Sequence, residues 1–247
     1  MSRLAALACC TLLLGGCAGG AKKSAPVAGS ADESPADLYV NMAAAYYQRG
    51  QMDAALERGL HAIAEDKKSP RAHYVLGIIY QHLGETREAQ QHLAEAVRLD
   101  PTNPDILNAR GSFLCLERKY SEAIAQFEEA LENPLYESPE VALMNAADCA
   151  RRAGRGAESE RYLRKALTAN ASFAPALLAM AKLSYARGDA QDAQGYLTRY
   201  SRVGQVTPEV LLLATRIETR LGNRETAKAL AASLRARFPD SPEVMEL

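Results

Sequence analysis

The sequence has few of the residues, and none of the short motifs, from which metal and catalytic sites are commonly built. It contains four histidines and no tryptophan in 247 residues. No two histidines have the i, i+4 spacing that puts two metal ligands on one helix face. The phosphate-binding motif G-x-x-x-x-G-K-[ST] and the nucleophile motif G-x-S-x-G are both absent. We therefore expect no metal, no cofactor, no catalytic residues and no small-molecule substrate.

The sequence also lacks an excess of positive or negative charge. The 29 lysines and arginines are balanced by 30 aspartates and glutamates, which leaves a net charge of −1. No basic run stands out, and the aromatic residues do not alternate with lysine and arginine. Proteins that bind nucleic acid normally carry such a basic surface to attract phosphates. We therefore expect no nucleic-acid partner.

The N-terminal segment has the pattern of a signal peptide. One basic residue, Arg3, precedes an apolar run over residues 4–14, and small residues follow. This run is shorter than the roughly 20 apolar residues that span a bilayer as a helix. Residues 14–17 (LGGC) resemble the lipobox of bacterial lipoproteins, in which the cysteine is acylated. We predict a lipoprotein signal peptide over residues 1–17 with lipidation at Cys17; the alternative is a secretory signal that ends in cysteine.

The next segment, residues 18–35, is rich in alanine, glycine, serine and proline. Such a composition cannot bury a core, so we predict a flexible tether. Several acyl chains on Cys17 would anchor the protein to a membrane without spanning it. By resemblance to bacterial lipoproteins, Ala18 rather than aspartate after the cysteine implies sorting to the outer membrane. The expected location is the periplasmic face of that membrane.

The remainder of the chain repeats. Small residues recur at intervals of 34, 34, 36, 34 and 34, at Ala55, Ala89, Ala123, Ser159, Ala193 and Ala227. Turn glycines recur in the same frame at Gly50, Gly84, Gly154, Gly188 and Gly222, with Arg118 at the equivalent place in the third unit. This period predicts six helix-turn-helix units that begin near Ala36, Pro70, Pro104, Glu140, Ala174 and Pro208. The longer interval predicts an extended loop near residues 133–136.

The clearest unit, residues 70–101, resembles a tetratricopeptide repeat. Its small residues Gly77 and Ala89 would let two helices approach closely, and Gly84 would end the first helix in a left-handed conformation. No segment has the alternating pattern of a strand. We therefore predict an all-α tetratricopeptide-repeat superhelix of about six repeats over residues 36–247.

Two cysteines remain in the repeats, Cys115 and Cys149, both on the first helix of their units. Neighbouring first helices pack side by side in such a stack, which allows the ~4.4–6.8 Å Cα separation of a disulfide. Because the periplasm is oxidising, we predict that they form a disulfide bond. The alternative is that both are small buried apolar residues.

In the tetratricopeptide family the first helices line a concave groove, which suggests where a partner would bind. Near the N-terminus these positions are mainly apolar and aromatic: Val40, Tyr47, Tyr74, Ile78 and Gln81. Such a lining suits an amphipathic or extended apolar peptide, although some of the tyrosines could instead pack between helices. Toward the C-terminus the corresponding positions become basic: Arg151, Arg152, Lys182 and Arg216. They would suit an acidic partner, or they form a solvated face.

Several stretches are more specific than the repeat. They are ALERGLHAIAED, RAHYVLGIIYQHLGE, NARGSFLCLERKYSEAIAQFEEALENPLYESPE and LRARFPDSPE. Together with the lipobox they resemble the type IV pilus biogenesis lipoproteins that act as pilotins of the pilus secretin. The combination of GSFLC at residues 111–115 and NPLY at residues 133–136 is the most discriminating part.

The resemblance implies a non-catalytic outer-membrane adaptor. Its partner would be the secretin subunit, whose outer-membrane localisation and multimerisation it would promote, and twitching motility would depend on it. The alternative is a tetratricopeptide lipoprotein that acts as a scaffold for peptidoglycan or other envelope enzymes and has no role in pili.

Overall fold

The computed structural model describes residues 34–247, which form twelve α-helices and a final 3₁₀ helix. The predicted signal peptide, Cys17 and most of the predicted tether lie outside the described residues. The helices are α1 (Pro35–Gln48), α2 (Met52–Glu65), α3 (Pro70–Leu83), α4 (Thr86–Leu99), α5 (Pro104–Leu116), α6 (Tyr120–Leu131), α7 (Pro139–Arg152), α8 (Gly156–Ala169), α9 (Ala174–Arg187), α10 (Ala190–Tyr200), α11 (Pro208–Arg220) and α12 (Arg224–Arg237). The 3₁₀ helix spans Pro242–Glu246.

All regular structure in residues 34–247 is helical, and the predicted all-α tetratricopeptide-repeat superhelix is confirmed. Each odd-numbered helix packs on the even-numbered helix that follows it, which makes six helix-turn-helix units. Within this part of the chain, no helix combines the length and the apolar character needed to cross a membrane.

The ends of the helices follow local sequence signals. Proline occupies the first turn of every odd-numbered helix. Four of these helices have side-chain N-caps, namely Ser34, Ser69, Asn103 and Thr207. These caps satisfy backbone N–H groups that have no partner within the helix. At the turn inside each unit the backbone is left-handed, with φ of 79° at Gly84 and 60° at Arg118.

Close packing within the units depends on glycine. A Cβ atom at Gly77 would lie 2.6 Å from Cγ of Leu93, so no larger residue fits between α3 and α4 without movement. Gly111 is equally restricted, because its Cβ would lie 2.7 Å from the Phe127 ring and 3.0 Å from the Ala123 carbonyl oxygen. The first residue of the GSFLC stretch is therefore required by helix packing.

The loop between α6 and α7 is the irregular junction that the longer interval predicted. The side chain of Asn133 accepts a hydrogen bond from the Leu135 backbone N–H at 2.9 Å, which forms a tight turn. Tyr136 is then buried in a cluster with Leu107, Ala130 and Ala142, whereas Leu135 is 85 % exposed. The NPLY stretch thus ties the third unit to the fourth through one buried tyrosine.

Cys115 on α5 and Cys149 on α7 form a disulfide in the structure, with their Cα atoms 5.7 Å apart. Both cysteines belong to the apolar cluster that joins the third, fourth and fifth units. The bond therefore crosses from one unit to the next, whereas most contacts of each helix lie within its own unit.

The last unit is covered by the 3₁₀ helix. Val244 packs against a cluster of Leu211, Leu212 and Leu234, and Arg216 forms an ion pair of 2.7 Å with Glu246. This segment shields part of the apolar face of the final unit, as a terminal cap does in a repeat array.

Candidate functional site

The odd-numbered helices form one face of the stack, which we call the inner face. The pairs α1–α3, α3–α5, α5–α7 and α9–α11 approach closely, whereas α7 and α9 approach each other least among such neighbours. Depressions lie between these helices. We name three of them by position: the N-terminal pocket between α1 and α3, the α5–α7 depression, and the central groove between α7 and α9.

The N-terminal pocket contains three of the five residues predicted to line it. Tyr47, Tyr74 and Ile78 surround a cavity of about 220 Å³. Val40 is only 3 % exposed, in the core between the first two units, and so contributes little surface to a partner. Gln81 is half-buried on α3 but does not line this cavity.

The two tyrosines of this pocket are held by their neighbours. Tyr47 makes an edge-on contact with His82, with ring centroids 5.6 Å apart. Burial raises the pKa of Tyr74 above its ordinary value, and the nearby Asp105 and Tyr47 raise it further. Burial also raises the pKa of Asp105. Tyr74 therefore remains a neutral phenol at physiological pH and offers both an apolar ring and a hydroxyl group.

The central groove is the largest described cavity on the inner face, with a volume of about 650 Å³. Its apolar lining includes Met144, Leu163, Leu178 and Leu183. Helix α8 contributes the buried Ser159 and Leu163 to the lining, together with the exposed Gly156, which has no other heavy atom within 4 Å of the position that a Cβ would occupy.

Charged residues at the rim of the central groove are paired. Asp148 forms ion pairs with Arg151 at 2.5 Å and with Arg152 at 2.6 Å. Lys182 lies 2.5 Å from Glu209.

The fourth predicted basic residue, Arg216, pairs with Glu246 in the last unit. The four basic residues lie on the odd-numbered helices α7, α9 and α11, and each has a carboxylate partner. These pairs offset the positive charge of the four residues locally, which weakens the attraction for an acidic partner.

A pair of asparagines that no sequence motif marks lies beside the central groove. The Nδ2 group of Asn145 on α7 donates a hydrogen bond of 2.9 Å to Oδ1 of Asn108 on α5. Asn145 also lines the α5–α7 depression, a cavity of about 150 Å³ that shares Asp148 with the central groove. The two asparagines are 37 residues apart, and only the stacking of the third and fourth units brings them together.

Two histidines are also in contact although their spacing in the sequence does not predict it. Nδ1 of His73 on α3 lies 3.0 Å from Nδ1 of His92 on α4, and Nε2 of His73 lies 3.1 Å from the Lys67 carbonyl oxygen. Burial, followed by the neighbouring His73, lowers the pKa of His92 below its ordinary value. Within residues 34–247 no group of three or more histidine, cysteine, aspartate or glutamate side chains is placed to hold a metal ion.

Comparison with known proteins agrees with this architecture. Residues 70–103, 116–175 and 209–241 each match the tetratricopeptide repeat family. The sequence is 27 % identical over 210 residues to the type IV pilus assembly protein PilF of Pseudomonas aeruginosa. This match covers 85 % of this chain and 83 % of PilF.

The fold is similar to two solved structures of pilus proteins. The crystal structure of PilW, described as a widely conserved type IV pilus biogenesis factor, matches with a TM-score of 0.78 and 30 % identity over 87 % of this chain and 98 % of PilW. The structure of P. aeruginosa PilF matches with a TM-score of 0.77 and 27 % identity over 85 % of this chain and 95 % of PilF. The chain therefore belongs to the family of tetratricopeptide-repeat proteins of type IV pilus biogenesis that includes PilF and PilW.

Proposed function

We propose that this protein is a pilotin: an outer-membrane lipoprotein adaptor that binds the type IV pilus secretin subunit and promotes its localisation and multimerisation. The observation that carries the proposal is the similarity to PilW and PilF over nearly the full length of both solved chains. The predicted lipidation of Cys17 supports the location at the periplasmic face of the outer membrane.

The mechanism is non-catalytic. Acyl chains on Cys17 hold the protein at the membrane, since each buried CH₂ group contributes about 0.8 kcal/mol. The composition of residues 18–35 predicts a tether that reaches roughly 20–25 Å from the membrane. Secretin subunits held there have a raised local concentration, which favours assembly of the multimer.

The inner face supplies the binding surface. The central groove, at about 650 Å³, has a size and an apolar lining that suit a large side chain of a bound peptide. The N-terminal pocket adds a second, shallower site lined by Tyr47, Tyr74 and Ile78. Aromatic and large apolar anchors usually contribute most of the energy at such interfaces.

The test is deletion of the gene in the source bacterium, followed by measurement of secretin multimers in outer-membrane fractions. We expect the multimers and twitching motility to be lost, and both to return with the wild-type gene. A Cys17→Ala variant that still accumulates should restore neither, because it lacks the anchor.

Normal secretin multimers in the deletion strain would refute the proposal. That result would favour the scaffold for peptidoglycan or other envelope enzymes, which predicts altered cell-wall assembly with intact pili.

A further inference from the structure

We propose that copies of this protein associate through the surface formed by the even-numbered helices, which we call the outer face. The acidic outer face of the first three units on one copy contacts the basic outer face of the last three units on the next copy. This inference goes beyond the proposed function, because it concerns contacts between copies of the chain and does not require a secretin. It rests on the distribution of charge over the helices.

The even-numbered helices lie on the outside of the stack. Neighbouring odd-numbered helices such as α1 and α3 approach each other closely, whereas even-numbered neighbours such as α2 and α4 do not. The stack therefore curves with its odd-numbered helices inside. Most charged side chains on the even-numbered helices are exposed, so they are available to another molecule.

The outer face changes sign between the third and the fourth unit. Helices α2, α4 and α6 carry eight carboxylates and three arginines, a net charge of −5. Helices α8, α10 and α12 carry four carboxylates and eight lysines and arginines, a net charge of +4. The odd-numbered helices differ much less, with a net charge of 0 over α1, α3 and α5 and of +2 over α7, α9 and α11. The asymmetry therefore belongs mainly to the outer face.

Many of these charges have no partner of opposite sign within the described part of the chain. The ion pairs of the acidic half involve the carboxylates of Glu57 and Glu95. The carboxylates of that half that form no ion pair are those of Asp53, Glu65, Glu88, Glu122, Glu128 and Glu129. The exposed basic residues of α8 and α12 that form no ion pair are Lys165, Arg224, Arg235 and Arg237. Both halves thus retain charge that another molecule could neutralise.

Charge complementarity favours a second copy as the partner of this face. An anionic membrane would attract the basic half and repel the acidic half, and the two halves together carry a net charge of −1. A second copy satisfies both halves, because the −5 of one copy faces the +4 of the next. Such a contact joins two different patches, so its repetition gives a chain, or a ring where the rotation closes.

The association should be weak and sensitive to salt. Among the large apolar residues that are exposed within residues 34–247, only Leu60 lies on an even-numbered helix. Charge is therefore the main attraction, and salt screens it, with a Debye length of about 3 Å at 1 M. The predicted lipidation of Cys17 would hold copies in one membrane plane and raise their local concentration. In the proposed function, such contacts would join adaptors on neighbouring secretin subunits.

Two double variants disable opposite sides of the contact. Glu65→Lys/Glu129→Lys changes the acidic half from −5 to −1, and Lys165→Glu/Arg224→Glu changes the basic half from +4 to 0. Glu65 and Glu129 lie in the last turns of α2 and α6, where a lysine suits the helix dipole. Arg224 begins α12, where a glutamate suits the dipole. We therefore expect both variants to fold, which circular dichroism checks.

The measurement is sedimentation velocity of the purified full chain at about 20 mM and about 1 M NaCl. We expect the wild type to form oligomers at low salt that dissociate at high salt. Each double variant alone should associate about tenfold more weakly or not at all, because one side of its contact is lost. An equimolar mixture of the two variants should form a one-to-one pair and nothing larger, since each supplies one intact half.

Lys67→Glu/Lys68→Glu is the matched control for the variant of the basic half. It changes the net charge by the same amount, −4, at exposed positions in the loop between α2 and α3. Because both halves of the outer face are unchanged, this variant should associate at least as well as the wild type. Loss of association in the control would show that net charge alone governs the effect and would overturn the inference.

The other outcomes separate this inference from its competitors. A wild-type chain that stays monomeric at low salt would overturn it, as would association that both double variants and high salt leave unchanged. A monomeric wild type that binds phosphatidylglycerol vesicles, when Lys165→Glu/Arg224→Glu does not, would assign the basic half to the membrane instead. Normal secretin multimers in the deletion strain, together with salt-sensitive oligomers of the wild type, would refute the proposed function and support this inference.

Discussion

The N-terminal pocket and the central groove are built on the same repeat but differ in depth. Between α1 and α3, the rings of Tyr47 and Tyr74 occupy the inner face and leave about 220 Å³. Between α7 and α9, which approach each other least among neighbouring odd-numbered helices, the cavity reaches about 650 Å³. The side chains at positions that the repeat pattern does not constrain therefore decide what the inner face can bind.

The two regions also differ in the interactions that stabilise them. The central groove lies beside the disulfide between α5 and α7 and beside the ion pairs of Asp148. The N-terminal pocket depends on apolar packing and on the contact between Tyr47 and His82, and the histidine pair joins α3 to α4 in the same part of the chain. Perturbations should therefore affect one region and spare the other.

The largest expected effect is on the central groove, through loss of the disulfide. The bond joins residues separated by 34 positions, and loop closure of this length is worth about 3–4 kcal/mol in the free energy of unfolding. The Cys115→Ser/Cys149→Ser variant should unfold at lower denaturant, and amide exchange should rise in α5 and α7 more than in α1 and α3. Each single variant is the control and should match the double variant. Unchanged stability after reduction of the wild type would contradict this prediction.

The next effect distinguishes the two sites by binding. Gly156→Phe should fill the central groove, and Ile78→Asp should place a charge in the N-terminal pocket. Each change should weaken partner binding about tenfold, or 1.4 kcal/mol, if its site carries an anchor. Gly195→Phe is the control for the first variant, because Gly195 also has open space around it but lies on α10. If both test variants bind the secretin subunit normally, the binding surface lies elsewhere.

A pH effect should appear in the N-terminal region alone. The Lys67 carbonyl fixes a proton on Nε2 of neutral His73, so His92 donates through Nδ1, and two protonated rings cannot keep this bond. The pKa of His92 is lower in the fold than in the unfolded chain, so the stability it adds is present above pH ~6.5 and decreases as the pH falls below that value.

The measurement is amide exchange at pH 7.5 and pH 5.5 in α3 and α4 against α8 and α9. We expect α3 and α4 to lose roughly 0.5–1.5 kcal/mol, the value of one hydrogen bond. His92→Gln, which can still donate to His73, should reduce the difference between the two pH values. An equal loss of stability in both regions would instead indicate that low pH destabilises the whole domain.

The smallest expected effect is a gain. Arg118 occupies the left-handed turn position that glycine holds in the other five units, at φ 60°. Arg118→Gly should raise the free energy of unfolding by about 0.5–1 kcal/mol, because relief of the left-handed strain exceeds the added entropy of the unfolded chain. Gly84→Ala is the reciprocal variant and should lose a similar amount in a denaturant titration. A destabilised Arg118→Gly protein would show that the arginine side chain makes a compensating contact.

Much of the architecture was predictable because its causes are local. The interval of about 34 residues, the prolines and the turn glycines predicted six helix pairs, and the observed helix starts agree with them within one residue. The longer loop at residues 133–136 followed from a single longer interval. In these cases a residue acts on neighbours within its own unit, so sequence spacing carries the information.

The candidate site was less predictable. The sequence positions indicated an aromatic pocket near Tyr47 and Tyr74, and those side chains do line a cavity. They gave no sign that the larger cavity lies between α7 and α9, since its depth depends on helix separation. The carboxylates that pair with Lys182 and Arg216 lie 27 and 30 residues away in sequence, so their effect on the charge of the inner face was also hidden.

The repeat follows from local sequence, because small residues such as Gly77 and Gly111 are required where the two helices of a unit touch. It also carried the GSFLC and NPLY stretches, whose glycine and tyrosine prove to be packing residues. Which of the remaining positions meet across units depends on how the units stack. Asn108 with Asn145 and Cys115 with Cys149 are brought together by stacking, which places residues about one repeat apart side by side.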